Sequence, residues 1–365
     1  MTDEEALRAA VLAHPDDDTP RLVYADWCDD AGDTDRAAFI RAQIAAARAE
    51  PYSPGVREAE NRATPYLIQQ VDYWHESGEP WYNHPGYGRG FIEEVGVPIE
   101  EFTSRFAAWC EREPVRRLRL HNHVAIPFET DGLEAILTSP LLARVTELDA
   151  KDLRVYSSVE YDALVQSDGL TALSALRLTR QPVPPEWLMR FLAGPHLPAL
   201  AVLDLSDIPN LGPALANGLT AAVHRRFTSL NFSGVRFLSG ELQRVLASRA
   251  LAGVEELRLG WSYPGPGPLT MLDLGWVMPW SRLRLLDMAG QRLGPDGVKE
   301  IVRKRDAAGL RWLGLARNVL GSAGAHLLAE APHLHLYHLD VSDNGLTPDD
   351  LAALRVRFPE AVVIG

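Results

Sequence analysis

Three groups of residues have the types and spacing to do chemistry. His14-Pro15-Asp16-Asp17-Asp18 sets an imidazole beside three carboxylates, a donor set that could hold a divalent metal and supply a general base. His121 and His123 form a second group, and His333, His335 and His338 a third, with His84 standing alone. Metal hydrolysis is the chemistry these types suggest, but their surroundings argue otherwise. The segment before His14, Glu4 to Leu12, is an amphipathic helix carrying Arg8, and a run of Asp at the entry of the next helix is favoured by its dipole. The histidine groups lie far apart in the chain and read as solvent-facing or turn-closing. No Ser–His–Asp order, phosphate loop or Cys-x-x-Cys occurs. The expectation is no metal, no cofactor and no catalytic residue.

The elements that position any function repeat along the chain. Leu310-Arg-Trp312-Leu313-Gly-Leu315-Ala-Arg-Asn318-Val-Leu320 and Leu336-Tyr-His338-Leu339-Asp-Val341-Ser-Asp-Asn344-Gly-Leu346 share one pattern, L-x-x-L-x-L-x-x-N-x-L. Its central leucine recurs at Leu118, Leu148, Leu176, Leu203, Leu230, Leu257, Leu286, Leu313 and Leu339, with gaps of 30, 28, 27, 27, 27, 29, 27 and 26 residues. Alternating leucines predict a short strand with one buried face. The apolar stripes of Pro295–Val302 and Ala323–Ala331 predict a helix after it. One unit cannot bury both, so units must stack. Strands pair at about 4.8 Å while helices need roughly 8–10 Å, so strands line a concave face. This period and long helical half resemble the ribonuclease-inhibitor type of leucine-rich repeat, also found in the GTPase-activating protein for Ran. Asn occupies its turn column only at Asn318 and Asn344. Gln291, Ser262, Val235, Ile208, Gln181, Leu153 and His123 stand elsewhere, so those turns must close differently.

Two surfaces are candidate partner sites. On the concave face, one exposed column reads Arg119, Asp149, Arg177, Asp204, Asn231, Arg258, Asp287, Gly314, Asp340, and the column before it includes Trp312 and His338. Mixed charge with an aromatic anchor suits protein recognition. The second candidate is a rim, Trp261 with Trp276 and Trp280, around a Pro–Gly-rich interruption of the repeat.

Ahead of the repeats, residues 2–49 predict three helices: a capping box at Thr2/Glu5, a second helix opened by Pro20, and a third over Arg36–Ala49. Asp16-Asp-Asp-Thr-Pro20-Arg-Leu-Val-Tyr24-Ala-Asp-Trp27, Gly32-Asp33, Arg36, Phe39-Ile40-Arg41 and Gln43 resemble the repeat-companion domain at the N-terminus of bacterial repeat proteins. That resemblance covers about residues 1–48 and implies architecture rather than chemistry. Ala13-His14-Pro15-Asp16-Asp17-Asp18 also resembles the A-H-P-D-D-E signature of zinc-dependent N-acetylglucosaminyl deacetylases. In that family the signature follows a buried parallel strand, not a helix.

Composition sets the remaining bounds. Net charge is −13, and residues 1–50 hold twelve acidic residues against five Arg. Such a surface disfavours nucleic acid. No apolar run reaches the roughly 18 residues a membrane helix needs, and the first residues lack the basic and apolar regions of a secretion signal. Cys28 and Cys110 read as free thiols, so a cytoplasmic location is expected.

The expected architecture is an α/β leucine-rich-repeat solenoid, a horseshoe with parallel strands concave and helices convex. It carries a small all-α domain at 1–49, an aromatic Pro/Gly junction and cap at 50–90 containing a Glu60–Trp74 helix, and repeats over 91–365, opening on a degenerate unit at Phe91–Glu113. The expected function is a non-catalytic scaffold binding an unknown protein through its concave face. Alternatives are a regulator of a partner enzyme, in the manner of a ribonuclease inhibitor or a GTPase activator, and a metal-dependent hydrolase using His14.

Overall fold

A computed structural model describes residues 2–76, 84–121, 136–151, 158–261 and 278–365. The fold is an α/β leucine-rich-repeat solenoid, and the chain divides into two compact units. The first comprises Met1–Leu153 with Asp168–Ala172, and the second Arg154–Ser167 with Leu173–Gly365.

The first unit opens on α1 (Asp3–Ala13), α2 (Asp18–Asp30) and α3 (Thr34–Arg48). Thr2 and Glu5 close the expected capping box, while Asp17 and Asp33 cap the next two helices. Short polar side chains at these positions satisfy backbone N–H groups that have no partner within the helix. α4 runs from Pro54 to Glu76 and is longer than the expected Glu60–Trp74, continuing through Pro65. The junction also contributes a strand, β1 (Gly86–Gly88), paired antiparallel with β2 (Phe91–Pro98). Their two-residue turn places Arg89 at φ 47° and Gly90 at φ 88°. A Cβ at Gly90 would meet Ile40 at 2.5 Å, so only glycine fits. β2 then pairs in parallel with β3 (Arg117–His121), and β3 with β4 (Glu147–Asp149).

Phe91 belongs to the same core as Val11, Tyr24, Ala25, Cys28, Ala37, Ile40 and Ile44, so the helices and the start of the strand array are sealed together. Arg36, also buried, lies over the rings of Phe39, Tyr66 and Phe91 at 5.2–5.6 Å. The helix after β2 is not continuous: a 3-10 turn and a π turn lead into α5 (Ala107–Arg112).

In the second unit, β5 (Ala175–Arg177), β6 (Val202–Asp204), β7 (Ser229–Asn231), β8 (Glu256–Arg258), β9 (Leu285–Asp287), β10 (Trp312–Gly314), β11 (His338–Asp340) and β12 (Val362–Ile364) pair in parallel in chain order. Leu176, Leu203, Leu230, Leu257, Leu286, Leu313 and Leu339 stand opposite one another in successive strands, and each is fully buried. The sequence period is thus the sheet register. Helices fill the other half of the units: α6 (Ser158–Gln166), α7 (Pro185–Ala193), α8 (Gly212–Ala221), α9 (Ser239–Leu246), α10 (Gly294–Arg303), α11 (Gly321–Ala329) and α12 (Pro348–Arg357).

The turn column divides as its residue types require. Asn318 donates to the carbonyls of Met288 and Ala316 and accepts the N–H groups of Gln291 and Leu293. Asn344 does the same one repeat later, donating to Leu315 and accepting from Asn318 and Leu320. Gln291 substitutes for Asn: its amide donates to Leu259, the equivalent carbonyl of the preceding repeat. Val235 and Ile208 bury aliphatic side chains instead, and Val235 N–H turns back to the carbonyl of Phe232. Ser262, Leu153 and His123 lie outside the described residues.

Arginines complete the joints between helices. Arg225 is buried with no carboxylate partner among the described residues and donates to the carbonyls of Leu197 and Phe191 at 3.1 and 2.9 Å, stapling the C-terminal end of α7. Burial lowers its pKa to about 10. Arg357 repeats the device on Ala331 and Leu334.

Candidate functional site

The exposed strand column has a structural duty that its charges conceal. Asp149, Asp204, Asn231, Asp287 and Asp340 each accept, through their side-chain oxygen, the backbone N–H two residues onward: Lys151, Ser206, Ser233, Ala289 and Ser342. Short side-chain acceptors of this kind hold the chain where a strand turns away from the sheet. Ser206 and Ser342 add hydroxyl donors to the same oxygens at 2.6 and 2.7 Å. Half of each carboxylate is therefore committed to the fold before any partner arrives.

What remains differs along the column. In the first unit, Arg119 pairs with Glu94 at 2.9 Å and donates to the His84 carbonyl. Arg117 lies between Glu94 and Glu147 in the strand register. In the middle of the second unit, β6 and β7 carry only Val202, Asp204, Ser229 and Asn231, whereas Arg177 and Arg258 stand to either side. The result is a basin of about 490 Å³. Asn231 donates to Asp204 at 2.9 Å, and Glu256 accepts from Ser229 and pairs with Arg258, so most of the basin's polar groups are already matched.

The last repeats are different. Trp312 and His338, on adjacent strands, stack with centroids 4.9 Å apart and planes 6° from parallel. Gly314 creates room for this: a Cβ there would fall 2.6 Å from the Trp312 ring and 2.7 Å from Asp287 Oδ1. Leu285 closes the same row. Asp287 and Asp340 flank the stack, and neither makes an ion pair among the described residues. Burial, opposed by the Ala289 N–H and by Arg258 and reinforced by Asp340, raises the pKa of Asp287. An aromatic stack bordered by partly desolvated carboxylates concentrates the interactions a protein partner can use.

The rim does not hold together as expected. Trp261 is 54% exposed, but Trp280 is only 6% exposed and belongs to the core. That corrects its assignment as a contact residue: its ring packs inward where the chain re-enters the repeat before Leu283. Trp276 lies outside the described residues.

The His14–Asp18 segment is occupied by the fold. His14 caps α1, Asp17 caps α2, Asp16 pairs with Arg116, and Asp18 pairs with Arg48 and Arg89. Fully buried Arg21 donates to the carbonyls of Pro15, Gly88 and Arg89 and pairs with Glu93 at 2.8 Å. Gln43 accepts the Gly90 N–H at 2.7 Å. Residues in the companion-like signature thus fix the helices to the β1–β2 hairpin. Among the histidines, His333 has its pKa lowered by burial, and His123 lies outside the described residues.

No family description and no curated protein matches the sequence. Among solved structures, it is similar to a Bacteroides fragilis protein at 15% identity, covering 85% of this chain and 83% of that one, with a TM-score of 0.44. A Leptospira interrogans LRR protein is similar at 14% identity, covering 74% of this chain and 89% of that one, with a TM-score of 0.31. The fold assignment rests on the strand register and the buried leucine column. No helix among the described residues is long and apolar enough to cross a membrane.

Proposed function

We propose that this chain is a non-catalytic protein-recognition scaffold whose principal contact is the exposed strand face of its last repeats. The observation that carries this reading is the Trp312–His338 stack held over Gly314 between Asp287 and Asp340. The aromatic pair is pre-ordered by packing, so a partner meets it without the entropic cost of fixing a loop. A rigid, half-buried tryptophan beside carboxylates that make no ion pair among the described residues is the kind of site where truncation removes most of the binding energy. By contrast, ion pairs already closed within the strand face add little for a partner.

The test starts with capture of the partner on the full chain and its identification by mass spectrometry. Affinities are then measured for Trp312→Ala, Asp287→Ala and the Trp261/Trp276 double variant. Trp312→Ala should weaken binding by about 2 kcal/mol or more, and Asp287→Ala by roughly 1 kcal/mol or less. If the double variant abolishes binding while Trp312→Ala leaves it intact, the strand-face reading is wrong.

A further inference from the structure

A second column, just beyond the strands, shows a site that does not depend on the Trp312 face. Arg180, Asp207, Gly234, Trp261, Gly290, Arg317 and Asp343 occupy the same place in successive repeats, and all are left-handed, with φ between 55° and 76°. The conformation turns each N–H toward the next repeat. Arg180, Asp207, Gly234, Trp261, Gly290 and Arg317 donate in order to Ser206, Ser233, Gly260, Ala289, Ala316 and Ser342 at 2.7–3.0 Å. The backbone therefore demands left-handed residues here, which glycine meets most easily and a tryptophan rarely adopts. Trp261 holds this place while leaving 54% of its surface exposed.

Among the described residues, its surroundings are built on one side and make no ring or ion contact with it on the other. Toward the C-terminus, Gly290 has no side chain, and a Cβ there would strike the indole at 2.5 Å. Into that gap comes Arg317, its guanidinium 5.5 Å from the Trp261 ring centre and paired with Asp343 at 2.8 Å. Toward the N-terminus the order is mirrored. Gly234 again lacks a side chain, and Asp207 leans over it, with Oδ1 2.8 Å from where a Cβ would sit. The Asp207 carboxylate has no hydrogen bond or ion pair among the described residues. On that side the row supplies an aspartate, a gap and an indole, and its cation, Arg180, stands beyond Asp207 rather than between the aspartate and the indole.

We propose that this rim slot binds an arginine side chain of a protein partner, seated over Gly234 between the Asp207 carboxylate and Trp261. The charge complementarity is the one the chain already uses internally with Arg317, Asp343 and Trp261. Asp207 and Trp261 begin two strand spacings apart, about 10 Å. A guanidinium needs about 3 Å to a carboxylate oxygen and up to about 6 Å to a ring centre.

The experiment uses the full chain with 15N-labelled indoles, the Trp261 and Trp312 signals being assigned by Trp261→Phe and Trp312→Phe. The probe is acetyl-Gly-Arg-Gly-amide, with the citrulline peptide as its neutral isostere. The arginine peptide should move the Trp261 signal saturably and the citrulline peptide should not. Asp207→Asn, whose side chain tolerates a left-handed backbone, should weaken the titration roughly fivefold. A Trp261 signal unmoved by arginine, or moved equally in Asp207→Asn, overturns the proposal. Movement of Trp312 alone also overturns it, and assigns the cation to the strand face instead.

Discussion

The strand faces of β2–β4 and of β9–β11 are built on the same register, yet they offer a partner different things. Within the first unit, Arg119 and Glu94 are paired, and Arg117 stands between Glu94 and Glu147. Across β9–β11, Leu285, Trp312 and His338 form a row with Asp287 and Asp340 beside it, and neither carboxylate makes an ion pair among the described residues. The backbone is indifferent to this contrast, because both regions pair in parallel over a buried apolar column, Val95, Leu118 and Leu148 in one and Leu286, Leu313 and Leu339 in the other. Side chains at the exposed columns are free to vary, so one strand pattern can carry closed ion pairs in one region and an aromatic stack beside carboxylates in another.

The comparison can be broken first at the core. If both regions share one register, Leu118→Ala and Leu313→Ala should each cost roughly 2–5 kcal/mol in denaturant unfolding. A loss below about 0.5 kcal/mol at either would mean that its strand is out of phase.

Turn closure is the next largest effect. Asn318→Ala strands the N–H groups of Gln291 and Leu293 and the carbonyl of Met288, and should cost roughly 2–4 kcal/mol. Urea melts of Asn318→Ala and Gln291→Ala check this. An Asn318→Ala midpoint equal to the native one would refute the amide account.

The smallest effect separates the two faces electrostatically. The pKa of Asp287 is raised chiefly by burial, so its ionisation opposes folding as pH climbs through that raised value. Asp287→Asn keeps the acceptor for Ala289 and should stabilise the chain at neutral pH by about 0.5–1 kcal/mol. That gain should vanish below the ordinary aspartate value of about 4. Glu94→Gln, which removes a matched carboxylate, should instead be neutral or slightly destabilising. Melting temperatures between pH 3 and 8 read both variants (about 1 kcal/mol corresponds to a few degrees).

Much of this was legible in the sequence. Leucine alternation at a period near 27 residues placed every central leucine in its buried register position, because strand pairing tolerates no slip once one face is buried. The second role of the exposed aspartates was harder to see, although Asp204-Leu-Ser206, Asn231-Phe-Ser233 and Asp340-Val-Ser342 carry its signal. Charge pattern alone cannot tell a turn-capping carboxylate from a recognition one. Trp280 was misread because a tryptophan beside an interruption of the repeat looks the same whether its ring packs inward or outward. Gly314 had a signal as well: a glycine two residues after Trp312 clears the strand for the indole. The full extent of α4 escaped because Pro residues ordinarily end helices, whereas Pro65 lies within this one.

The central claim is that a partner touches Trp312, and fluorine NMR of the chain labelled with 5-fluorotryptophan tests it most directly. Trp312→Phe and Trp187→Phe assign two of the signals, Trp187 being a fully buried core reference. On addition of the captured partner, the Trp312 signal should shift or broaden while that of Trp187 stays in place. A Trp312 signal unchanged at saturating partner would contradict the account.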